Sequence, residues 1–463
     1  MIKERIKSCL LVLLVASSIV LTFNMWINGK LWPNGYNFFS NITNYLSSNN
    51  KSYYLSKENI SYPEKIIINN LEQRNLYTHT SKQYPELAEP ILSIIKQSIS
   101  KYEFAESDTA EWNTALSGSS VYVSYPVAYD TTLICGILDI TPMSIKTKSV
   151  QEFIIVPSVD ANSTAVAVYT KDFDTKKVHK AIISTDVNII HNIIESYATH
   201  SLNLLPYSFE LNFDQSENMV VEQKVVIDPT VTLNLESTQL PTVNAENYLS
   251  DIYNNSYVSS RLLNAFGYNT TNAKSYVDKN NNVVYIENYS TIKIYENGLL
   301  EYKSLDPDKG ITLTSSSAST LYDNFIACIE FVNNLWDRTL PNEPFNINLT
   351  SNIVTQTGSK SFKVTMDYYI DGYQIMSDSG SGVEITVTNG KITEYKQLFN
   401  KFEITEKRNT VGSSIDAIDA IFADTTIEGG TISKLNVVYT PNNGVLIPVW
   451  AAKLDDRNII IER

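Results

Sequence analysis

The sequence predicts an α+β protein with an N-terminal transmembrane helix and a multidomain ectodomain of antiparallel sheets with packed helices. One uncharged apolar run stands near the N-terminus. Along the rest of the chain, alternating apolar strands are interleaved with helical apolar stripes. A strand–turn–strand pattern followed by a helix occurs twice in the C-terminal half, which indicates two tandem similar units. The length of 463 residues also indicates several domains.

The apolar run 8–28 is predicted to be a single-pass membrane anchor. As a helix it is about 30 Å long, which matches the hydrocarbon thickness of a bilayer. Basic residues outnumber acidic ones in segment 1–7. The positive-inside rule therefore places 1–7 in the cytoplasm and the ectodomain outside the cell membrane. A cleaved signal peptide is the alternative, but the apolar run continues past Ala16-Ser17-Ser18, which resembles a cleavage site.

Small and polar side chains share one broad face of the predicted anchor. Ser17 and Asn24 are seven residues apart, and Ser18 and Thr22 are four apart, a small-xxx-small spacing that permits close helix approach. We interpret this face as a partner-binding site within the membrane. In the alternative interpretation, the hydroxyls bond their own helix carbonyls and Asn24 reaches the headgroups.

The predicted ectodomain begins after a polar stalk. Residues 29–58 are rich in Asn, Ser and Tyr, which is typical of a connecting segment. Residues 59–245 are predicted to form an N-terminal α+β domain. Helical stripes occur at 85–102 and 187–199, and apolar alternation between them predicts several strands. Further strands are predicted near 206–213 and 220–228, and the Thr- and Asn-rich residues 229–241 are predicted to connect to the next domain.

The C-terminal half contains an internal repeat. Asn297-Gly298 and Asn389-Gly390 each lie between apolar-alternating segments, which is the strongest short hairpin signal. The second strand of each predicted hairpin contains a Glu-Tyr-Lys triplet, and a predicted helix follows each hairpin. The repeat predicts a middle α+β domain at 250–345 and a C-terminal α+β domain at 346–463.

A search for chemical motifs predicts no catalytic residue, no cofactor and no metal site. Ser48 and Ser98 each precede a lysine at the spacing of penicillin-binding enzymes, but no companion motif follows. The loop that begins at Asp278 resembles a calcium loop, yet Val283 and Tyr289 occupy its required Gly and Glu positions. The net charge of -14 repels phosphate backbones, so we expect no nucleic-acid partner.

Beyond Cys9, the chain has two cysteines, Cys135 and Cys328. Two cysteines in a chain of this length do not form a disulfide framework. The sequence favours two small buried apolar residues and leaves one disulfide as the alternative.

Short motifs in a fixed order make the sequence similar to the YycH family of Gram-positive bacteria. They are Ser18–Trp26, Leu31–Gly35, Glu111-Trp112, Ser120–Pro126, Ala265–Tyr268, Tyr285–Ser290 and Leu446–Trp450. The resemblance implies a single-pass membrane protein that is an accessory to the WalRK (YycFG) two-component system. It implies two partners, a sensor histidine kinase of WalK/YycG type that controls cell-wall metabolism and a YycI-like protein. It also implies no catalytic residues.

Two other functional classes stay open at this point. An extracellular cell-wall hydrolase would need a deep cleft lined by carboxylates or by a Ser/Lys pair. A sugar-binding adhesin module would need a flat ledge of exposed Tyr or Trp. A partner-binding regulator would instead present an apolar patch at a domain edge.

Overall fold

The computed structural model describes residues 55–461, apart from 57–58, 72, 142–146, 159–163, 199–204, 212–224, 251, 253–254, 314–319, 341–342, 354–360 and 456. Segment 1–7, the anchor 8–28 and nearly all of the predicted stalk lie outside the described residues. Among the residues that the structure describes, no helix is both long and apolar enough to cross a membrane.

The described part of the chain contains seven α-helices. They are α1 Tyr84–Lys101, α2 Thr109–Ser117, α3 Thr131–Leu138, α4 Val187–Ala198, α5 Ser256–Ala265, α6 Leu321–Thr339 and α7 Ser414–Ala423. Reciprocal capping boxes fix the starts of the last two: Thr320 with Asp323, and Ser413 with Asp416. The predicted helices at 85–102 and 187–199 correspond to α1 and α4, whereas local patterns did not predict α3 or α5.

A seven-stranded antiparallel sheet forms the N-terminal part of the described chain. Its order is β2-β1-β4-β5-β6-β7-β3. The strands are β1 Lys65–Asn70, β2 Gln73–Thr78, β3 Ala105–Ser107, β4 Ser120–Asp130, β5 Ser149–Pro157, β6 Ala165–Asp172 and β7 Val178–Ser184. Its two faces are covered differently: α1 and α4 share the main core on one face, and α2 packs with Trp112 and Leu116 on the other.

A 16-stranded sheet contains the remaining strands. Its main path is β10-β11-β12-β13-β19-β18-β16-β17-β21-β22-β9-β20. Its strands are β8 Val225–Ile227, β9 Thr238–Asn247, β10 Lys274–Val277, β11 Val283–Glu287, β12 Ser290–Ile294, β13 Leu299–Ser304, β14 Ile311–Thr312, β15 Ile347–Leu349, β16 Ser361–Ile370, β17 Tyr373–Ile375, β18 Val383–Thr388, β19 Lys391–Leu398, β20 Asn400–Val411, β21 Gly430–Asn442, β22 Val445–Leu454 and β23 Arg457–Ile461.

Helices cover one face of this second sheet. Phe325, Cys328 and Val332 of α6 belong to the main core together with Ile292 and Ile385 of the sheet. Helix α7 contributes to a separate cluster around Leu454. The alternation of buried and half-exposed residues along β18 follows from covering one face only.

Both predicted Asn-Gly hairpins are present. The first joins β12 to β13 and the second joins β18 to β19. The two hairpins are neighbours in one sheet, because β13 pairs antiparallel with β19. The boundaries proposed for the middle and C-terminal domains, and their status as tandem units, stay predictions.

The segment between the two sheets differs from its sequence-based prediction. A strand was expected near 206–213, but the described residues there form a 3-10 turn at Ser208–Glu210. Residues 229–241 were expected to be a simple connection, yet β9 begins at Thr238. It pairs with β20, where Thr238 lies opposite Val411. A partner so distant in sequence leaves no local signal, so composition alone could not reveal this strand.

Candidate interaction surface

The uncovered face of the second sheet is a ladder of alternating charges. The repeated Glu-Tyr-Lys triplets lie directly opposite each other across β13 and β19. Because these strands are antiparallel, Glu301 faces Lys396 and Lys303 faces Glu394. The closest charged atoms are 3.3 Å apart in the first pair and 3.5 Å apart in the second. The internal repeat therefore creates a locally two-fold arrangement in which opposite charges meet.

Neighbouring strands extend this ladder on both sides. Lys363 of β16 lies 2.8 Å from Glu384 of β18. At the other side, Lys293 of β12 lies 3.0 Å from Asp278, which follows β10. Exposed ion pairs of this kind contribute about 0–1 kcal/mol each, so their main effect is to keep this face hydrated and neutral. An apolar partner has little to bind on it.

The ladder gives way to apolar side chains at the edge strand β10. We define the β10 edge as Tyr276, Val277, Ile286, Tyr289 and Leu305. All five are exposed, with 50% of Tyr276 and 67% of Leu305 accessible to solvent. The Leu305 amide donates to the carbonyl of Tyr289, which brings these two residues together at one end of the edge. Tyr276 and Ile286 lie on the open face, whereas Val277 lies on the other face with Val283, so apolar side chains are exposed on both sides of this edge. Exposed apolar side chains at a sheet edge are candidates for contact with a partner.

The opposite edge of the same sheet has a different character. Strand β20 is the last strand on the path and pairs along its length with β9. Its exposed residues include Glu403, Glu406, Lys407 and Arg408. Charged side chains discourage the addition of a further strand to an open edge. Ile404 is the one exposed large apolar side chain among these charged residues of β20, whereas β10 exposes Tyr276 and Val277 side by side.

A polar junction connects the two sheets away from this surface. Lys171 of β6 lies 3.7 Å from a carboxylate oxygen of Glu152 and 3.7 Å from one of Asp228. The Asp228 amide donates to the carbonyl of Ile432 in β21. The Tyr122 hydroxyl donates to Glu152 at 2.9 Å. A charged network thus connects the first sheet to the segment that follows β8.

The titration behaviour of this junction reflects mutual stabilisation of its charges. Burial disfavours the charged form of Lys171, but Glu152 and Asp228 outweigh it and raise the pKa of Lys171. Burial would also raise the pKa of Asp228, yet Lys171 and hydrogen bonds from Thr230 lower it overall. Both groups are therefore charged at neutral pH, and the junction is a structural contact.

The described surface also has one open depression that is lined mainly by polar and charged residues. A shallow depression of about 640 Å³ lies beside β3, lined by Glu106, Glu111, Lys180 and Ile182 among others. Lys180 pairs with Glu111 at 2.9 Å, so these opposite charges neutralise each other. This is not the deep carboxylate-lined cleft of a hydrolase. Within the described residues, no three His, Cys, Asp or Glu side chains are grouped so as to hold a metal ion.

The two cysteines in the described part of the chain, Cys135 and Cys328, are free and buried, as the sequence favoured. Burial raises the pKa of Cys135 to about 11 and also raises that of Cys328, so neither thiol is a reactive thiolate at neutral pH. The disulfide alternative is therefore wrong for this structure.

The predicted membrane site and the apolar edge are unrelated in sequence. Ser17, Ser18, Thr22 and Asn24 all lie outside the described residues. Sequence analysis did not identify the β10 edge, because exposure of a short apolar strand depends on where the sheet ends. The available signal was Tyr276-Val277 beside a polar turn, which local patterns cannot distinguish from a covered strand.

Comparison with known proteins supports the resemblance. Residues 4–199 match the family model described as YycH protein, N-terminal domain. The structure is similar to the crystal structure of YycH from Bacillus subtilis, with a TM-score of 0.57 and 10% identity, covering 89% of this chain and 98% of that chain. At this identity the likeness shows a shared fold.

A second solved structure, an uncharacterized protein from Eubacterium rectale ATCC 33656, is less similar. It has 11% identity and a TM-score of 0.33, with coverage of 52% of this chain and 87% of that chain, which is too low a similarity to indicate a shared fold. No curated protein matches the sequence. The family-model match includes the predicted anchor, so residues 4–199 belong to the N-terminal domain family of YycH proteins, and most of the chain shares the fold of YycH.

Proposed function

We propose that this protein is a membrane-anchored extracellular accessory protein that modulates a sensor histidine kinase of WalK/YycG type by direct contact. A YycI-like protein is the proposed second partner. The observation that carries the proposal is the match of residues 4–199 to the YycH N-terminal domain, because that segment includes both the predicted anchor and the first sheet. Because this kinase controls cell-wall metabolism, the protein would regulate cell-wall metabolism through the kinase.

The described surface supports regulation by binding. The β10 edge offers exposed apolar side chains, and the charge ladder offers a hydrated face beside it. A protein that modulates a kinase through contact needs only unequal affinity for the signalling states of that kinase. Neither a cleft nor an activated nucleophile is required.

The predicted anchor supplies the proposed contact within the membrane. In the predicted helix, Ser17, Ser18, Thr22 and Asn24 face the membrane helices of the kinase or of the YycI-like protein. An interhelical hydrogen bond contributes on the order of 0.5–2 kcal/mol in a membrane, which changes an equilibrium by roughly 2- to 30-fold. This is enough to alter kinase output without any chemical step.

The test replaces this face while the anchor is preserved. We expect Ser17→Leu, Ser18→Leu, Thr22→Leu and Asn24→Leu together to shift a reporter of kinase output toward its level in a strain that lacks the protein. The matched control substitutes the opposite side of the predicted helix: Val12→Leu, Ile19→Leu, Phe23→Leu and Ile27→Leu. The control should regulate normally, because it removes no polar or small residue.

Two further measurements complete this experiment. Immunoblots of membranes should give equal abundance for both quadruple variants. Chemical crosslinking in membranes followed by purification should recover the sensor kinase with the wild-type chain and less of it with the Ser/Thr/Asn variant. Normal regulation by that variant would refute the membrane face, and failure to recover the kinase with the wild-type chain would refute the proposed partner.

A further inference from the structure

The β10 edge has a backbone pattern that fits one more antiparallel strand. The Asp278 amide donates to the carbonyl of Asn282 on the β11 side of the hairpin. Amide directions alternate along a strand, so Tyr276 also points its backbone groups toward β11. Ser275 and Val277 therefore point their N–H and C=O groups outward, away from β11.

The side chains along this edge are symmetric about Tyr276. Lys274 precedes it by two residues and Asp278 follows it by two, so all three lie on the same face as the charge ladder. If a second β10 strand is aligned antiparallel with Tyr276 opposite Tyr276, then Lys274 of each copy lies opposite Asp278 of the other. The same alignment places Ser275 opposite Val277.

We propose that the β10 edge binds a second copy of this chain, through antiparallel pairing of two β10 strands about a two-fold axis at Tyr276. This inference goes beyond the proposed regulatory function, because it concerns contact between copies. In this register, Ser275 and Val277 of each copy form hydrogen-bonded pairs and contribute about four backbone hydrogen bonds. Tyr276 then forms the closely spaced pair at the centre, where aromatic pairs stabilise a sheet.

Two features within the chain support a second copy as the occupant. The first is the charge complementarity of the edge with itself, since Lys274 meets Asp278 twice. The second is the pairing of β13 with β19, where the same sheet already joins two repeated triplets so that Glu301 meets Lys396 and Lys303 meets Glu394. Asp278 already pairs with Lys293 and accepts from the amides of Asn280 and Asn282 and from the Asn282 side chain, so it would act in this contact as a negative charge opposite Lys274 and not as a free acceptor.

The register predicts a specific crosslink in the full chain. With Cys9→Ser as background, Tyr276→Cys places two thiols opposite each other on the two-fold axis, within disulfide range. We expect a disulfide-linked pair of copies after mild oxidation of native membranes. Cys135 and Cys328 are buried and should not react. Tyr257→Cys, at an exposed position on α5, is the matched control and should give no such pair.

Val277→Pro tests the backbone pairing. It removes an outward N–H that β11 does not use, so the hairpin should fold while two intermolecular hydrogen bonds are lost. Combined with Tyr276→Cys, it should reduce the crosslinked fraction about tenfold or more. If Val277→Pro impairs folding, as judged by protease resistance, Lys274→Glu replaces it, because that change places a carboxylate opposite Asp278 of the other copy.

Three results would overturn the inference. One is a Tyr276→Cys thiol that reacts with a maleimide but forms no disulfide between copies. Another is a crosslinked fraction that neither Val277→Pro nor Lys274→Glu lowers. The third is a disulfide from position 276 to a different protein only, which would assign the edge to a heterologous strand.

Discussion

The two sheets of this protein differ in how many of their faces are covered. The first sheet is covered on both faces, whereas the second has one face open to solvent. Strand β4 of the first sheet is buried along nearly its whole length, because helices lie against both faces. Strand β18 of the second sheet alternates between buried and half-exposed residues. A sheet covered on both faces contributes stability, whereas a sheet with one open face also has a surface and edges on which a partner can bind.

The largest expected effect comes from the face of the first sheet that α2 covers. Ile154→Ala should lower the free energy of unfolding by about 2–5 kcal/mol, because Ile154 is fully buried against the α2 cluster. Thr386→Ala, on the open face of a central strand in the second sheet, should change it by less than about 0.5 kcal/mol. Urea unfolding of the purified chain measures both. Similar losses for the two variants would contradict the contrast between the sheets.

Much of this contrast could be predicted locally. Apolar alternation and the Asn-Gly signals predicted the strands of the two hairpins and the helices that follow them. The two turns nevertheless differ. Asn389 and Gly390 both have positive φ, as a two-residue turn requires. The first turn is longer, with hydrogen bonds between Tyr295 and Leu299 and between Gly298 and Tyr295.

Long-range pairing could not be predicted in the same way. The pairing of β13 with β19 brings the repeated triplets together, but each triplet alone is only an exposed strand pattern. Strand β9 could not be predicted, because it begins in a segment that has the composition of a linker. The β10 edge depends on where the sheet ends, which is a property of the whole topology and not of residues 274–277. Local periodicity reports which face of a strand is apolar, and it does not report which strand is its neighbour.

The charged junction between the sheets should show the second-largest effect. Lys171→Met leaves Glu152 and Asp228 partly buried without their cation, so we expect a loss of about 1–3 kcal/mol in the free energy of unfolding. The matched control is Lys303→Met on the open face, whose ion pair with Glu394 is exposed. There the loss should be below about 1 kcal/mol. Equal losses would mean that the junction is as hydrated as the ladder.

The pH dependence of the junction provides an independent measure. The pKa of Asp228 is lowered in the folded chain, so its contribution is present above the ordinary aspartate value of about 3.9 and is lost as pH falls through the lower folded value. The pKa of Lys171 is raised, so its contribution is present below about 10.4 and is lost as pH rises through the higher folded value. Thermal unfolding should therefore show that the deficit of Lys171→Met shrinks below about pH 4. A deficit that is constant across acid pH would contradict this assignment.

An effect of similar size is expected where α3 meets α6, through the contact of Gly136 with Tyr322. A Cβ atom added at Gly136 would lie 2.7 Å from Cγ of Tyr322 and 2.8 Å from its Cβ. These atoms are close to the backbone and cannot rotate away, so Gly136→Ala should cost about 1–3 kcal/mol of unfolding free energy.

A double-mutant cycle checks this contact. In the Gly136→Ala background, Tyr322→Ala should cost less than it does alone, because it removes the overlap with Cγ at 2.7 Å and leaves only the one with Cβ at 2.8 Å. Gly118→Ala, whose added Cβ would lie 3.3 Å from the nearest atom, serves as a milder control. Additive losses at 136 and 322 would indicate that the helices separate freely and that the contact does not constrain the two sheets.

The smallest expected effect is a difference between the two repeated turns of the second sheet. Gly298 has φ of 86° and Gly390 has φ of 71°, so alanine at either position should cost about 1 kcal/mol for the backbone alone. The surroundings differ. An added Cβ at Gly298 would lie 2.5 Å from Oδ1 of Asn247, whereas at Gly390 the nearest atom is 3.4 Å away.

Asn247 is held in place at the first turn, and this makes the difference measurable. Its Oδ1 accepts from the Leu249 amide and its amide group donates to the Glu296 carbonyl, so moving it breaks both bonds. Gly298→Ala should therefore cost about 1 kcal/mol more than Gly390→Ala in urea unfolding. Asn247→Ala should remove part of that excess, because it removes the nearest oxygen while Oδ1 of Asn400 still lies 2.8 Å from the added Cβ. If the two glycine variants lose the same free energy of unfolding, the different neighbours of the two turns do not affect stability, and this prediction is wrong.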